Sequence, residues 1–215
     1  MKYTLFIITL FIANLLWTQD SIPFQKEVKE IVQRNDSIWD SSKETIVFTG
    51  SSSIRFWKDV QERFPENQVL NAGFGGSQTS DLLLHLNDLV LRYRPKKVFI
   101  YEGDNDVFAK KKPKEILDTT EEIIKKLKSD NPKREIVLIS AKPSLSRWKL
   151  RGKYRRLNKK MKKFSEANSK VEFVDVWNPM LLGGKVREDI FVEDGLHMNA
   201  KGYEIWYQAL KSFVN

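Results

Sequence analysis

The chain has no cysteine among its 215 residues. That absence excludes a disulfide framework, a thiolate metal site and a cysteine nucleophile. Histidine is scarce, with His85 and His197 the only two. A single histidine at any one site argues against zinc, and imidazole chemistry must rest on one residue or the other. Internal repeats, low-complexity runs and linkers long enough to separate domains are missing. So is a good membrane span: the apolar run from Tyr3 to Trp17 is too short and too near the start. With 41% hydrophobic and 30% charged residues, the composition is that of a globular chain able to bury one sizeable core.

That N-terminal run is the first positive feature. "MKYTLFIITLFIANLLWTQD" joins one lysine to an apolar middle, the pattern of a secretory signal. The expectation is a signal peptide over 1–19, cut near Thr18 or Gln19, followed by one domain over 20–215. The product would be secreted or periplasmic, with an uncleaved membrane anchor as the alternative. The second feature is charge. The formal net charge is +9, and "RWKLRGKYRRLNKKMKK", Arg147 to Lys163, holds ten basic residues and no acid. Tyr154, Leu157, Met161 and Phe164 recur there at helical spacing, so a basic amphipathic helix is expected. Its charged face is either simply solvated or a contact surface for anionic polysaccharide, lipid or nucleic acid. No nucleic-acid-binding motif accompanies it.

Along the rest of the chain, short β-branched or aromatic runs alternate with helical periodicity. "TIVFTG" (45–50), "QVLNAG" (68–73), "KKVFIYEG" (96–103), "REIVLIS" (134–140) and "VEFVDVW" (171–177) read as strands. Helices are expected over 22–39, 80–94, 113–130, 152–168 and 199–214, with Pro113 tolerated in a first turn and Asn199 as an N-cap. Such alternation implies a five-stranded parallel sheet with helices on both faces, a three-layer α/β/α sandwich. Ligands of such sheets bind beyond the carboxyl ends of the strands.

Polar residues suited to chemistry follow four of the five strands. "GSSS" (50–53) follows the first, "GFGGS" (73–77) the second and "GDND" (103–106) the third; "DGLH" (194–197) comes after the fifth. A serine hydroxyl needs a base to take its proton. His197 can be that base, and Asp194, three residues earlier, can orient it. His85, among leucines of a helix, reads as structural. The glycine-rich turn can present a backbone N–H, Asn105 a side-chain amide, and the serine its own N–H at a helix start, three donors for an oxyanion. Taken singly, these blocks also read as ordinary turns. The residues alone leave Ser51, Ser52 and Ser53 equivalent. Other chemistries fit less well: no lysine completes a phosphate loop, Ile54 breaks the G-x-S-x-G elbow, and "DND" lacks ligands for calcium.

In this order the four blocks resemble the SGNH (GDSL-type) family of serine esterases and lipases. "NAGFGGS", "AKPSLSRWKLR" and "DGLHMNAKGYEIW" add to the likeness, which runs from about residue 45 to the C-terminus. The resemblance implies a flavodoxin-like fold. It places the nucleophile on Ser52, with Ser51 where the family often has aspartate. It implies Asp194 and His197 as acid and base, and an oxyanion hole from Ser52, Gly76 and Asn105. No metal or organic cofactor is implied. The expected activity is hydrolysis of carboxylic esters of small molecules, glycans or lipids, including carbohydrate O-acetyl esters. A lysophospholipase or thioesterase is the alternative within the same machinery, and a non-catalytic glycan- or anion-binding module the alternative outside it.

Overall fold

The computed structural model describes residues 22–214; the leader expected over 1–19 lies outside them. The elements run α1 (Gln25–Ile38), β1 (Thr45–Gly50), α2 (Ser52–Arg55), α3 (Val60–Arg63), β2 (Gln68–Gly73), α4 (Thr79–Leu84), α5 (Leu86–Leu89) and β3 (Lys97–Tyr101). They continue with α6 (Asp104–Phe108), α7 (Pro113–Asp130), β4 (Glu135–Ile139), α8 (Arg151–Glu166), β5 (Val171–Val174), β6 (Leu181–Leu182), β7 (Lys185–Val186) and α9 (Ala200–Val214). β1 to β5 form an all-parallel sheet in the order β2-β1-β3-β4-β5, and β6 and β7 form a small antiparallel ribbon.

The strands are apolar on both faces because both are covered. Along β1, Val47 enters one core, while Ile46 and Phe48 enter the other. β3 and β4 divide the same way: Val98, Ile100, Ile136 and Leu138 on one side, Phe99, Tyr101, Val137 and Ile139 on the other. This is the two-residue period of a pleated strand. The first face carries α1 and α4 to α8, and the second carries α2, α3 and α9. The second core is aromatic. Phe48 stacks on Phe99 at 4.2 Å, and Trp57 meets Trp206 edge-on at 6.0 Å.

The strand order reverses direction between β1 and β3, and this puts a crevice at their carboxyl ends. The turn after β1 and the turn after β3 open into it side by side.

Two expectations need correction. The single helix expected over 80–94 is broken into α4, α5 and a 3-10 turn over Leu91–Tyr93. His85 sits at the break. It is buried, its Nε2 lies 2.6 Å from the Pro23 carbonyl, and its ring meets Phe74 edge-on; these ties hold it off the helical path. The start is also different, since Gln78 and Asp81 form the capping box. β5 ends at Val174 rather than at 177 because the Asp175 carboxylate accepts from the Trp177 and Asn178 N–H groups and turns the chain. The "GDND" block opens α6, entered through Gly103 at φ +98°. Among the described residues no helix is long and apolar enough to cross a membrane.

Candidate active site

The serine turn is built by a close approach of backbones. Gly50 has φ +125°, and a Cβ there would lie 2.0 Å from the Tyr101 carbonyl oxygen. That contact, together with the Ser51 N–H donating to Tyr101 O at 3.0 Å, folds the chain sharply off β1 into α2. The three serines then diverge. Ser51 is buried, and its hydroxyl accepts from the Asn105 amide at 3.2 Å. Ser53 is buried, with its carbonyl held by the Tyr203 hydroxyl at 3.0 Å. Ser52 is half-buried at the first position of α2, and its Oγ lies 3.0 Å from His197 Nε2.

His197 is held from three directions. Its Nδ1 lies 2.5 Å from Asp194 Oδ2, which fixes the tautomer that leaves Nε2 free to accept from a hydroxyl. Its ring meets Phe56 edge-on at 5.0 Å. Its carbonyl accepts from Val192 N–H at 2.9 Å. Asp194 Oδ1 accepts from the Leu196 and His197 N–H groups, each at 2.8 Å. Partial desolvation opposes the Asp194 charge, but these backbone donors and the imidazole outweigh it and bring the carboxyl down to about 2. Asp194 therefore stays ionised beside the ring.

The three donors expected at the serine turn differ in how they are engaged. Among the described residues, the N–H groups of Ser52 and Gly76 have no acceptor. Ser52 N–H is free because it belongs to the first turn of a helix. Gly76 has φ +73° and nothing within 4 Å of where a Cβ would stand, so its backbone is open to a ligand. Gly75 differs, because its N–H is taken by Glu27. Asn105 Nδ2 donates to Ser77 O at 2.8 Å. Its second hydrogen goes to the Ser51 hydroxyl at 3.2 Å, a longer bond on the side of the serine turn. Ser77 is anchored in turn by its hydroxyl against Glu102 at 2.7 Å.

A buried ionic cluster under these groups was not anticipated from the sequence. Asp104 is fully desolvated, and its carboxylate accepts from Arg147 at 2.7 Å, Tyr154 at 2.8 Å and Tyr101 at 3.0 Å, with Lys142 Nζ at 3.7 Å. Burial works against the Asp104 charge, yet Lys142 and Arg147 hold its carboxyl below the ordinary carboxylate range. Burial, helped by the neighbouring Arg147 charge, lowers the Lys142 ammonium against the opposing pull of Asp104 and Asp194. The cluster touches both halves of the site. Arg147 donates to Asn105 Oδ1 at 3.1 Å, and Lys142 donates to Leu196 O at 2.6 Å, inside the Asp194–His197 loop. A signal was present: Lys142 and Arg147 follow β4, the one strand end that yielded no candidate. Among the described residues no group of three or more His, Asp or Glu side chains is arranged to hold a metal ion.

A serine, imidazole and carboxylate in line, with donors at the switch point of a parallel sheet, define a hydrolase-like site. The model of the GDSL-like lipase/acylhydrolase family matches residues 36–205, and the chain belongs to that family of ester-bond hydrolases. No curated protein matches the sequence significantly. Solved structures do. A Streptococcus pneumonia protein named for platelet activating factor is 26% identical, with a TM-score of 0.77 over 88% of this chain and 94% of that one. A GDSL-like lipase of Bacteroides thetaiotaomicron is 22% identical, with a TM-score of 0.75 over 87% and 96%. A carbohydrate esterase family 3 protein of Talaromyces cellulolyticus shares the fold at 15% identity, with a TM-score of 0.65 over 80% and 96%.

Proposed function

We propose that the chain is an exported serine esterase that removes short acyl groups, acetyl above all, from carbohydrate. The observation that carries the catalytic part is the 3.0 Å approach of Ser52 Oγ to His197 Nε2, with Asp194 behind the ring. In this reading Ser52 Oγ bonds to the ester carbonyl carbon as its proton passes to His197. The carbonyl oxygen becomes an oxyanion that accepts from Ser52 N–H, from Gly76 N–H and from Asn105 Nδ2, which exchanges its 3.2 Å bond to Ser51 Oγ for the stronger charged acceptor. His197 then protonates the departing alcohol, leaving an acyl-serine. Water, deprotonated by His197, attacks that acyl group, and the acid leaves as Ser52 regains its proton. Asp194 stays charged and stabilises the imidazolium.

Support for a glycan alcohol comes from exposure and from likeness of fold. The His197 and Asp194 side chains are 26% and 46% exposed, so a bulky alcohol portion can approach from outside. The fold is shared with a carbohydrate esterase. The leader over 1–19 supports export.

A second reading has its own observation. Phe56, Phe108, Leu145 and Val192 are exposed apolar residues close to the site. Phe56 lies on His197, Leu145 on Gly195 and Phe108 under Arg147. Such a rim favours a lysophospholipid or another long acyl ester. A panel of acetyl to dodecanoyl p-nitrophenyl esters, with acetylated oligosaccharides beside it, decides between them. The first reading expects activity to be highest on acetyl esters and to fall as the acyl chain lengthens, by about tenfold or more per methylene that the site does not accommodate, and acetylated sugars to be turned over. Rising activity with chain length selects the second. Failure of every ester removes both.

A further inference from the structure

The basic helix of the sequence analysis has a definite place in the fold. α8 runs beside β5, the edge strand of the sheet. A groove of about 370 Å³ lies between them, with Arg155, Lys159 and Lys162 on the helix wall and Phe173, Asp175 and Trp177 on the strand side.

The groove offers cations without acceptors. Among the described residues Arg155 and Lys159 have no carboxylate partner, and Lys162 reaches Glu166 only at 4.0 Å. The one carboxylate in the groove, Asp175, is occupied by Trp177 N–H and the Asn178 backbone and side chain. The Asn158 amide is spent on the Ala141 backbone in both directions. Two other grooves of the surface differ in degree: among the described residues each has a single unpaired lysine, Lys26 or Lys211, beside an arginine that is held, Arg55 by Glu27 and Arg63 by Asp59 and Glu204. Three like charges on one wall repel, and an anion in the groove would relieve that repulsion.

A chain of side-chain contacts links the groove to the candidate active site. Trp177 stacks on Trp148 at 6.0 Å, Arg151 lies over the Trp148 ring, and Trp148 follows Arg147, which holds Asn105. β5 stands three strand positions from β1, roughly 14 Å at the usual spacing. Arg155 to Lys162 covers about 10 Å of helix. A polymer long enough to span that separation can lie along the cations and still present an ester to Ser52.

We propose that this groove binds the chain of an acidic polysaccharide, a polyuronate, whose O-acyl groups are the substrate. The substrate assignment rests on the esterase reading; the binding does not. A linear polymer with regularly repeated carboxylates matches a row of cations along a groove better than a flat lipid surface does, because the row lies between a helix and a sheet edge.

The test is titration of the full chain with non-acetylated polygalacturonate, at low and moderate salt, beside turnover of p-nitrophenyl acetate. The Arg155→Gln, Lys159→Gln, Lys162→Gln triple variant should bind roughly tenfold more weakly, the sum expected of three exposed charge pairs, and lose most of the salt dependence. Its p-nitrophenyl acetate turnover should match that of the wild type. A control triple, Lys26→Gln, Lys29→Gln, Lys211→Gln, makes the same change in net charge and should bind normally. Equal binding by wild type and groove variant overturns the proposal, as does equal weakening by both triples. So does tighter binding to phosphatidylglycerol vesicles or duplex DNA than to polygalacturonate at the same salt. If the groove triple does not fold, Arg155→Gln alone, read across salt concentrations, makes the same test. Loss of esterase turnover in the wild type would remove the esterase reading while leaving the binding result to stand or fall by itself.

Discussion

The Arg147 guanidinium donates to Asn105 Oδ1 at 3.1 Å, and so decides which end of that amide faces the serine turn. An asparagine amide has two similar ends, and a donor from Arg147 leaves Nδ2 as the end presented to a carbonyl oxygen. The same guanidinium is tied to Asp104 at 2.7 Å, so it is not free to turn away.

The first prediction follows from this. Asn105→Ala should lower kcat on p-nitrophenyl acetate by about 10²–10³-fold, as loss of an oxyanion donor does. Arg147→Met should lower kcat by about tenfold or more with little change in KM, because it loosens a group that acts in the transition state. The double variant should be no slower than Asn105→Ala alone. Additive losses would mean that Arg147 acts by another route. Arg147→Met should also melt earlier, since it leaves a buried carboxylate with one partner fewer.

The second prediction concerns the backbone. Gly50→Ala puts a methyl group 2.0 Å from the Tyr101 carbonyl, at φ +125°. Neither β1 nor β3 can retreat, because both are interior strands. Denaturant melts should show a loss of several kcal/mol, about 3 or more, or no folded protein. A variant as stable as the wild type would show that the turn after β1 is not built as described.

The third prediction is a pH dependence of stability. Burial pushes the Glu102 carboxyl well above its ordinary 4.5, so the folded protein keeps a proton that the unfolded chain releases above that pH. Stability linked to this group is fully present below pH 4.5 and declines as pH rises, by up to about 1.4 kcal/mol per unit, until the folded carboxyl itself ionises. Glu102→Gln has no such proton, and its amide oxygen can still accept from Ser77. Its stability relative to wild type should therefore improve as pH rises above 4.5 in urea titrations. A constant difference would mean that Glu102 is ionised in the fold.

The parallel sheet was legible because β1 to β4 are apolar on both faces and bounded by turn residues, a pattern that needs no tertiary information. The blocks after β1, β2 and β3 were legible because chemistry in such folds collects at strand ends. The break at His85 was not legible, since it depends on Pro23, distant in sequence, lying against the imidazole. Nor was the Asp104–Lys142–Arg147 cluster. Each member resembles a surface charge in sequence, and only the packing of the segment between β4 and α8 against the start of α6 buries them together. The choice among Ser51, Ser52 and Ser53 has a similar source. Three identical residues differ only in where the turn at Gly50 points them.

The central claim is that Ser52 is activated by His197, and reaction with a fluorophosphonate followed by peptide mapping tests it most directly. The account predicts one phosphonate per chain, on Ser52, formed slowly or not at all in His197→Ala and absent in Ser52→Ala. Labelling of Ser51 or Ser53, or labelling of Ser52 at an equal rate without the imidazole, would contradict it.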